Sequence, residues 1–117
     1  MQKVTSLSDL QRLSNTTSSS PYTVLKFGSS WCGPCRRIQP DVDRLADEFS
    51  HFTWCAVDAD TSPELFAHFG VRFMPSFVIL QRDEGANSAD ATASSRILYR
   101  FGNDVHGLEE ALHRLRS

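Results

Sequence analysis

Short apolar runs separated by polar segments predict a set of buried strands. Residues 23–27, 52–57 and 76–80 are mostly apolar on both faces, which is typical of central strands in a sheet that is covered on both sides. A further strand is predicted near the end of the chain, where every second position is a large apolar residue: Ile97, Tyr99 and Phe101. We expect this last strand to be antiparallel and covered on one face.

Two amphipathic helices are predicted near the ends of the chain. The first follows a capping serine, Ser6 or Ser8, and its apolar residues lie on one side: Leu7, Leu10 and Leu13. The second follows Asp104, which can serve as its cap, and presents Leu108, Leu112 and Leu115.

Two more helices are predicted between the strands. The longer begins near Gly33 or Pro34 and carries Ile38, Val42, Leu45, Ala46 and Phe49 at helical spacing. Pro40 lies inside it and should kink it. The shorter begins at Ser62, a capping serine that is followed by proline at the first helical position, and ends at Gly70, a natural left-handed cap.

With a short edge strand at 2–5, the order of elements is β-α-β-α-β-α-β-β-α. Strands joined through helices must pair in parallel, whereas the last two are joined by a loop alone. The sequence therefore predicts an α/β fold with a mixed central sheet and helices on both faces, in a single domain over 1–117. The segment 82–95 has no periodicity, and we expect a mobile hairpin loop there.

Composition excludes several classes of function. The 117 residues carry a formal charge of −2 with no basic run, so nucleic acid is not an expected ligand. No stretch approaches the ~20 apolar residues that span a bilayer, and residues 1–20 lack an apolar signal core. We expect a reducing, cytoplasmic location and no membrane contact.

The three cysteines favour redox chemistry over a disulfide scaffold, since only Cys32 and Cys35 lie close in sequence. Cys32 precedes a predicted helix, whose N-terminal N–H groups and dipole favour the nucleophilic thiolate. Cys35, three residues on, comes round to nearly the same face and can attack a mixed disulfide formed on Cys32. Metal binding by this pair would need further ligands, and the four histidines are dispersed. We expect Cys55, in an apolar run, to be an inert core residue.

The segment Trp31-Cys32-Gly33-Pro34-Cys35, the pair Met74-Pro75 and Gly102 resemble the matching features of thioredoxins. The resemblance covers nearly the whole chain in the same order of elements. It implies the thioredoxin fold, with a five-stranded mixed sheet flanked by four helices, in a monomer. It also implies a protein-disulfide reductase that has no bound cofactor, acts on disulfide-containing proteins and is recharged by a separate thioredoxin reductase.

The same resemblance assigns roles around the cysteines. Pro75 would be a cis proline beside them, and the backbone of Met74 would bind substrate in extended form. Trp31 and Gly102 would line the shallow docking surface, while Gly33 and Pro34 shape the segment between the two thiols.

Lys26 departs from the family pattern, since thioredoxins generally place a buried aspartate there, with a lysine at the position of Ala56. Three hypotheses follow. The Lys26 ammonium stabilises thiolate and makes the couple more oxidising, or a neutral amine acts as base toward Cys35. Alternatively, Lys26 reaches solvent or pairs with Asp58 or Asp60 and takes no part in the chemistry.

Gly28 also departs from the family pattern, since thioredoxins often have a larger residue at this position. We expect it to leave the flank of the site open.

Two other functions remain as alternatives. The thioredoxin fold also serves as a redox-inert binding module, although the presence of both cysteines and Pro75 argues against that use. An oxidase or isomerase of a secretory compartment would use the same pair, but the N-terminal segment has no signal character. The segment 82–95 is longer than the family's usual hairpin. Its extra residues would be either a solubilising insertion or a docking element for a partner.

Overall fold

The computed structural model describes residues 1–16, 20–82 and 95–116, with the side chains of 14–16 left aside. It has five strands: β1 (Gln2–Lys3), β2 (Tyr22–Gly28), β3 (Thr53–Asp58), β4 (Ser76–Arg82) and β5 (Ser95–Phe101). Its four helices are α1 (Leu7–Thr16), α2 (Gly33–Glu48), α3 (Pro63–His68) and α4 (Val105–Arg116). The predicted order of elements is confirmed.

The strands form one mixed sheet in the order β1-β3-β2-β4-β5. β3 pairs in parallel with β1 and β2, whereas β4 pairs antiparallel with β2 and β5. β2 is therefore central and hydrogen-bonded on both sides. This agrees with its prediction as a buried strand.

Two hydrophobic cores lie on opposite faces of the sheet. The first packs α1 and α3 against the sheet through residues such as Leu10, Leu65 and Phe27. The second packs α2 and α4 through residues such as Leu45 and Leu108. Successive side chains of a strand point to opposite faces, so β2 contributes to both cores.

The predicted alternation in the last strand is wrong at Ile97. Tyr99 pairs with Ile79, but Ile97 pairs with Leu80, so a β-bulge leaves Leu98 without a partner in the ladder. The extra residue moves Ile97 to the other face of the sheet. It is 39% exposed there, while Tyr99 and Phe101 pack against the second core.

Two predicted helix starts differ in how they are capped. Ser62 stands at the N-cap of α3, but its hydroxyl makes no capping bond and instead donates to the carbonyl of Val4 at 3.2 Å. Its predicted capping bond is wrong because that hydroxyl ties α3 to the end of β1. At α4 the prediction is confirmed, since the Gly107 N–H donates to Asp104 Oδ1 at 2.9 Å.

Other local predictions are settled by the backbone. α3 ends at His68, two residues before the predicted Gly70, which follows the C-cap Phe69 with φ +66°, in the left-handed region that favours glycine. α2 continues through Pro40 to Glu48. The loop predicted over 82–95 is too long by one residue at each end, because Arg82 and Ser95 pair as residues of β4 and β5. Its other residues, 83–94, lie outside the described ones. No helix in the described part of the chain is long and apolar enough to cross a membrane.

The cap of α4 provides a test of local stability. Replacing Asp104 with Ala removes the acceptor for the Gly107 N–H and should lower the free energy of unfolding by about 1 kcal/mol. Asp104→Asn keeps a capping oxygen and should change it by only a few tenths. Urea denaturation followed by circular dichroism measures both. Equal losses in the two variants would contradict a capping role.

Candidate active site

Cys32 and Cys35 lie where β2 passes into α2. Cys32 is the N-cap residue of the helix, and the Cys35 N–H donates to its Sγ at 3.2 Å. The two residues form a disulfide with a Cα–Cα distance of 5.3 Å, and each is 6% exposed. The spacing predicted from the sequence thus brings both sulfurs together at one helix start.

The electrostatics of this helix start favour a thiolate on Cys32. A sulfur at the N-cap faces unpaired N–H groups and the positive end of the helix dipole. The first turn of α2 has no acidic residue, and Arg36 and Arg37 lie in it. Because the thiolate is the nucleophilic form of cysteine, Cys32 is placed to attack once the disulfide is reduced.

The segment before β4 reaches the same edge of the sheet. Phe27, near the end of β2, pairs with Ser76, the first residue of β4. The Met74–Pro75 peptide bond just before it is cis, as the resemblance implied. Gly102 follows β5 and is exposed, and a Cβ added there would meet no atom within 4 Å. Sheet pairing therefore brings three segments that are distant in sequence to the same end of the strands: the start of α2, the residues before β4 and the residue after β5.

Two large apolar side chains are exposed in these segments. Trp31 is 63% exposed, and its indole N–H donates to both carboxylate oxygens of Asp60, at 3.1 and 3.2 Å. Phe73 is 78% exposed and directly precedes Met74. Sequence reasoning missed Phe73. It could have been found as an aromatic residue that fits neither the helical nor the strand spacing of apolar residues around it.

A cleft of about 530 Å³ lies on the inner side of Cys35, and we call it the Cys35 cleft. It lies between the ends of three strands and the first half of α2. Its lining residues are Lys3, Lys26, Gly28, Ser29, Ser30, Cys35, Arg36, Gln39, Ala56, Val57 and Asp58. The cleft brings Lys26 and Cys35 to one solvent-accessible space.

Lys26 is held by a side-chain network inside this cleft. Its Nζ donates to Gln39 Oε1 at 2.6 Å, and Gln39 Nε2 donates to Asp43 Oδ1 at 2.7 Å. Burial lowers the pKa of Lys26, although the charges of Asp43 and Asp58 oppose that shift. In the described ranges Lys26 forms no ion pair with Asp58 or Asp60.

Glycine at position 28 keeps the space next to Cys35 open. A Cβ on Gly28 would lie 3.3 Å from Cys35 Sγ, closer than ordinary van der Waals contact. The opening expected at this position is therefore on the inner side, toward the cleft.

Cys55 is a core residue, as predicted. It is fully buried in β3, and burial raises the pKa of its thiol to about 12. It therefore remains protonated and unreactive near neutral pH. Among the residues the structure describes, no group of three metal-binding side chains comes together.

A cysteine pair at a helix N-terminus, beside a cis proline and on a mixed five-stranded sheet, defines a thiol–disulfide oxidoreductase of the thioredoxin-fold class. The family model described as Thioredoxin matches residues 4–101, so the chain belongs to the thioredoxin family. Proteins of this family exchange disulfides through the cysteine pair and use no bound cofactor. The chain thus acts by dithiol–disulfide exchange through Cys32 and Cys35.

Known relatives agree with this assignment. Thioredoxin-1 of Schizosaccharomyces pombe is 33% identical over 78% of this chain and 94% of its own length. Thioredoxin H2 of Arabidopsis thaliana is 41% identical, but the match spans 50% of this chain and 44% of that protein. The X-ray structure of Fasciola hepatica thioredoxin superposes with a TM-score of 0.79 at 30% identity, over 97% of this chain and 98% of that one.

The difference between the three thiols can be tested by alkylation. In the reduced, folded protein at pH 8, iodoacetamide should modify Cys32 and Cys35 but not Cys55, because burial keeps the Cys55 thiol protonated and inaccessible. In denaturant all three should react, and mass spectrometry counts the adducts. Modification of Cys55 in the folded protein at a rate similar to that of Cys35 would contradict this assignment.

Proposed function

We propose that this chain is a protein-disulfide reductase with Cys32 as the attacking thiolate and Cys35 as the resolving thiol. The observation that carries the proposal is the position of Cys32 Sγ at the N-cap of α2, where it accepts the Cys35 N–H. The same polarity that stabilises a thiolate makes Cys32 the better nucleophile of the two cysteines near neutral pH.

The reaction proceeds in two exchanges. The Cys32 thiolate attacks one sulfur of a target disulfide, so that bond breaks, one target thiolate leaves and takes up a proton, and a mixed disulfide forms. Cys35, after losing its proton, attacks Cys32 Sγ and releases the second target thiolate. The target gains two electrons and two protons, and the chain is left with the Cys32–Cys35 disulfide. A thioredoxin reductase would return the dithiol form.

The edge around Cys32 supports docking of a protein substrate. Trp31 and Phe73 expose apolar surface there, and exposed apolar side chains near a reactive group favour contact with a partner. Met74 would bind the substrate backbone, with Pro75 and Gly102 shaping the groove. Gly33, which has no side chain, and Pro34, whose ring is compact, would shape the segment between the two cysteines.

We propose a cytoplasmic location, because a disulfide reductase needs a reducing compartment and Cys55 is an unpaired thiol. Relatives of the M type are named as chloroplastic, so organelles remain an outcome that fractionation would reveal. A Cys35→Ser variant, which cannot resolve the mixed disulfide, would hold target proteins on Cys32 and so identify them.

Insulin reduction with NADPH and a thioredoxin reductase tests the function. The wild-type chain should turn over, Cys32→Ser should lose all turnover, and Cys35→Ser should accumulate mixed disulfides on Cys32. Cys55→Ser is the matched control and should keep full turnover. No turnover by the wild type would favour a redox-inert binding module, and full turnover by Cys32→Ser would refute the order of attack.

We also propose that Lys26 assists Cys35 as a positioning residue. The two share one cleft, and the ammonium group is fixed by Gln39 on the helix that carries Cys35. A positive charge at this place favours the Cys35 thiolate, which the second exchange requires. It also stabilises the reduced form and makes the couple more oxidising.

Charge removal at Lys26 tests this role. In a Cys32→Ser background, Lys26→Gln should raise the pKa of Cys35 by about one unit, equal to ~1.4 kcal/mol, as measured by the pH dependence of alkylation. In the otherwise wild-type chain it should shift the reduction potential to more negative values. Lys26→Arg should restore both, and Arg96→Gln, at the end of the sheet away from the cysteines, is the charge control. Unchanged values in Lys26→Gln would exclude the role.

A further inference from the structure

The Cys35 cleft has the size of a small-molecule site. Its volume of about 530 Å³ compares with 240 to 280 Å³ for three other surface clefts in the described part of the chain. Pockets that hold small ligands commonly measure ~300–1,000 Å³. The proposed substrate docks at the outer surface around Cys32, so the inner space beside Lys26 and Cys35 has no ligand assigned to it.

The charge of its lining is predominantly positive. The chain has two lysines, Lys3 and Lys26, and both line this cleft together with Arg36. Asp58 is the one carboxylate in the lining. Within the described ranges none of these three cations forms an ion pair with a carboxylate. Their charges are therefore uncompensated by direct contact.

Sheet register explains why the two lysines face one space. Lys3 and Lys26 both pair with Ala56, one from each neighbouring strand. Registered residues of adjacent strands project to the same face of a sheet, and two strand spacings separate the outer pair by roughly 10 Å. The small Ala56 side chain between them leaves the floor of the cleft open.

Unused hydrogen-bond donors complete the lining. Lys26 has three N–H groups and donates one to Gln39. Ser29 Oγ is buried without a hydrogen-bond partner, among the side chains that the structure describes. A buried hydroxyl without a partner costs free energy, which an acceptor in the cleft would recover.

We propose that the Cys35 cleft binds a small multivalent anion, through carboxylate or phosphate oxygens that contact Lys3, Lys26, Arg36 and the Ser29 hydroxyl. Both groups offer several negatively charged acceptors within the span of the two lysines. An anion bound here lies beside Cys35 and disfavours its thiolate by like-charge repulsion. Occupancy therefore slows the second exchange, in which Cys35 resolves the mixed disulfide.

Binding is tested first on the oxidised protein, where no thiol chemistry occurs. Citrate and inorganic phosphate are titrated separately at constant ionic strength, and 15N amide shifts of Gly28, Ser29, Ser30 and Cys35 report occupancy. Saturable shifts confined to this region are expected, and the two titrations distinguish a carboxylate from a phosphate ligand. Shifts that do not saturate, or that spread over all exposed cations, would overturn the site.

Variants then separate the cleft from general surface charge. Lys3→Gln, Lys26→Gln and Arg36→Gln should each weaken the binding roughly fivefold, as expected for loss of about 1 kcal/mol of charge interaction in water. Arg37→Gln, in the same helix turn but outside the lining, should leave the affinity unchanged. Equal weakening by Arg37→Gln would refute the proposal.

A substitution that leaves the charges unchanged tests whether the open volume of the Cys35 cleft is needed for binding. Ala56→Leu places a larger side chain between the two lysines and should reduce anion binding at least tenfold. If that variant does not fold, the charge variants still decide the question. The titrations involve neither turnover nor thiol reactivity, so they are independent of the proposed reductase function and of the role of Lys26 toward Cys35.

Discussion

Burial of β2 on both faces and both edges is the constraint on which the rest of the structure depends. Val24 belongs to one core and Leu25 to the other, while β3 and β4 hydrogen-bond to its two sides. A strand held in this way cannot shift register without exposing its apolar side chains. The point at which the chain leaves the sheet is therefore fixed, and with it the start of α2. Cys32 acquires its helix-terminal environment from that position.

The same constraint assembles the rest of the site. Antiparallel pairing of β4 with β2 brings the Met74–Pro75 bond to the edge where α2 begins, and pairing of β5 with β4 brings Gly102 there. Parallel pairing on the other side places β3 next to β2 and β1 next to β3, and residues of these three strands line the Cys35 cleft. Trp31 and Phe73 are exposed on the outer surface, whereas Cys35 lines the inner cleft together with polar and cationic residues.

Much of this arrangement could be predicted from local patterns. Apolar runs and helical periodicity identified the four helices and the four longer strands that the structure describes, because burial on one or two faces leaves a direct mark on the sequence. The predictions failed where a tertiary contact outweighed the local preference. Ile97 changed face because a bulge inserts an extra residue, and the Ser62 hydroxyl bonds to Val4 instead of its own helix. The exposure of Phe73 depends on packing around the turn, which periodicity does not describe.

The sequence by itself determined the reaction, because two cysteines three residues apart at the start of a helix share one face and one dipole. It also determined the order of elements and the inert character of Cys55, since both follow from hydrophobic patterning. Only the tertiary structure decided the environment of Lys26. Its ammonium group donates a hydrogen bond to Gln39 and forms an ion pair with neither Asp58 nor Asp60. Only the tertiary structure showed that the two lysines of the chain lie on either side of Ala56, on the same face of the sheet. The physical reason is that charge compensation and cavity shape depend on strands and helices far apart in sequence, whose register no local pattern encodes.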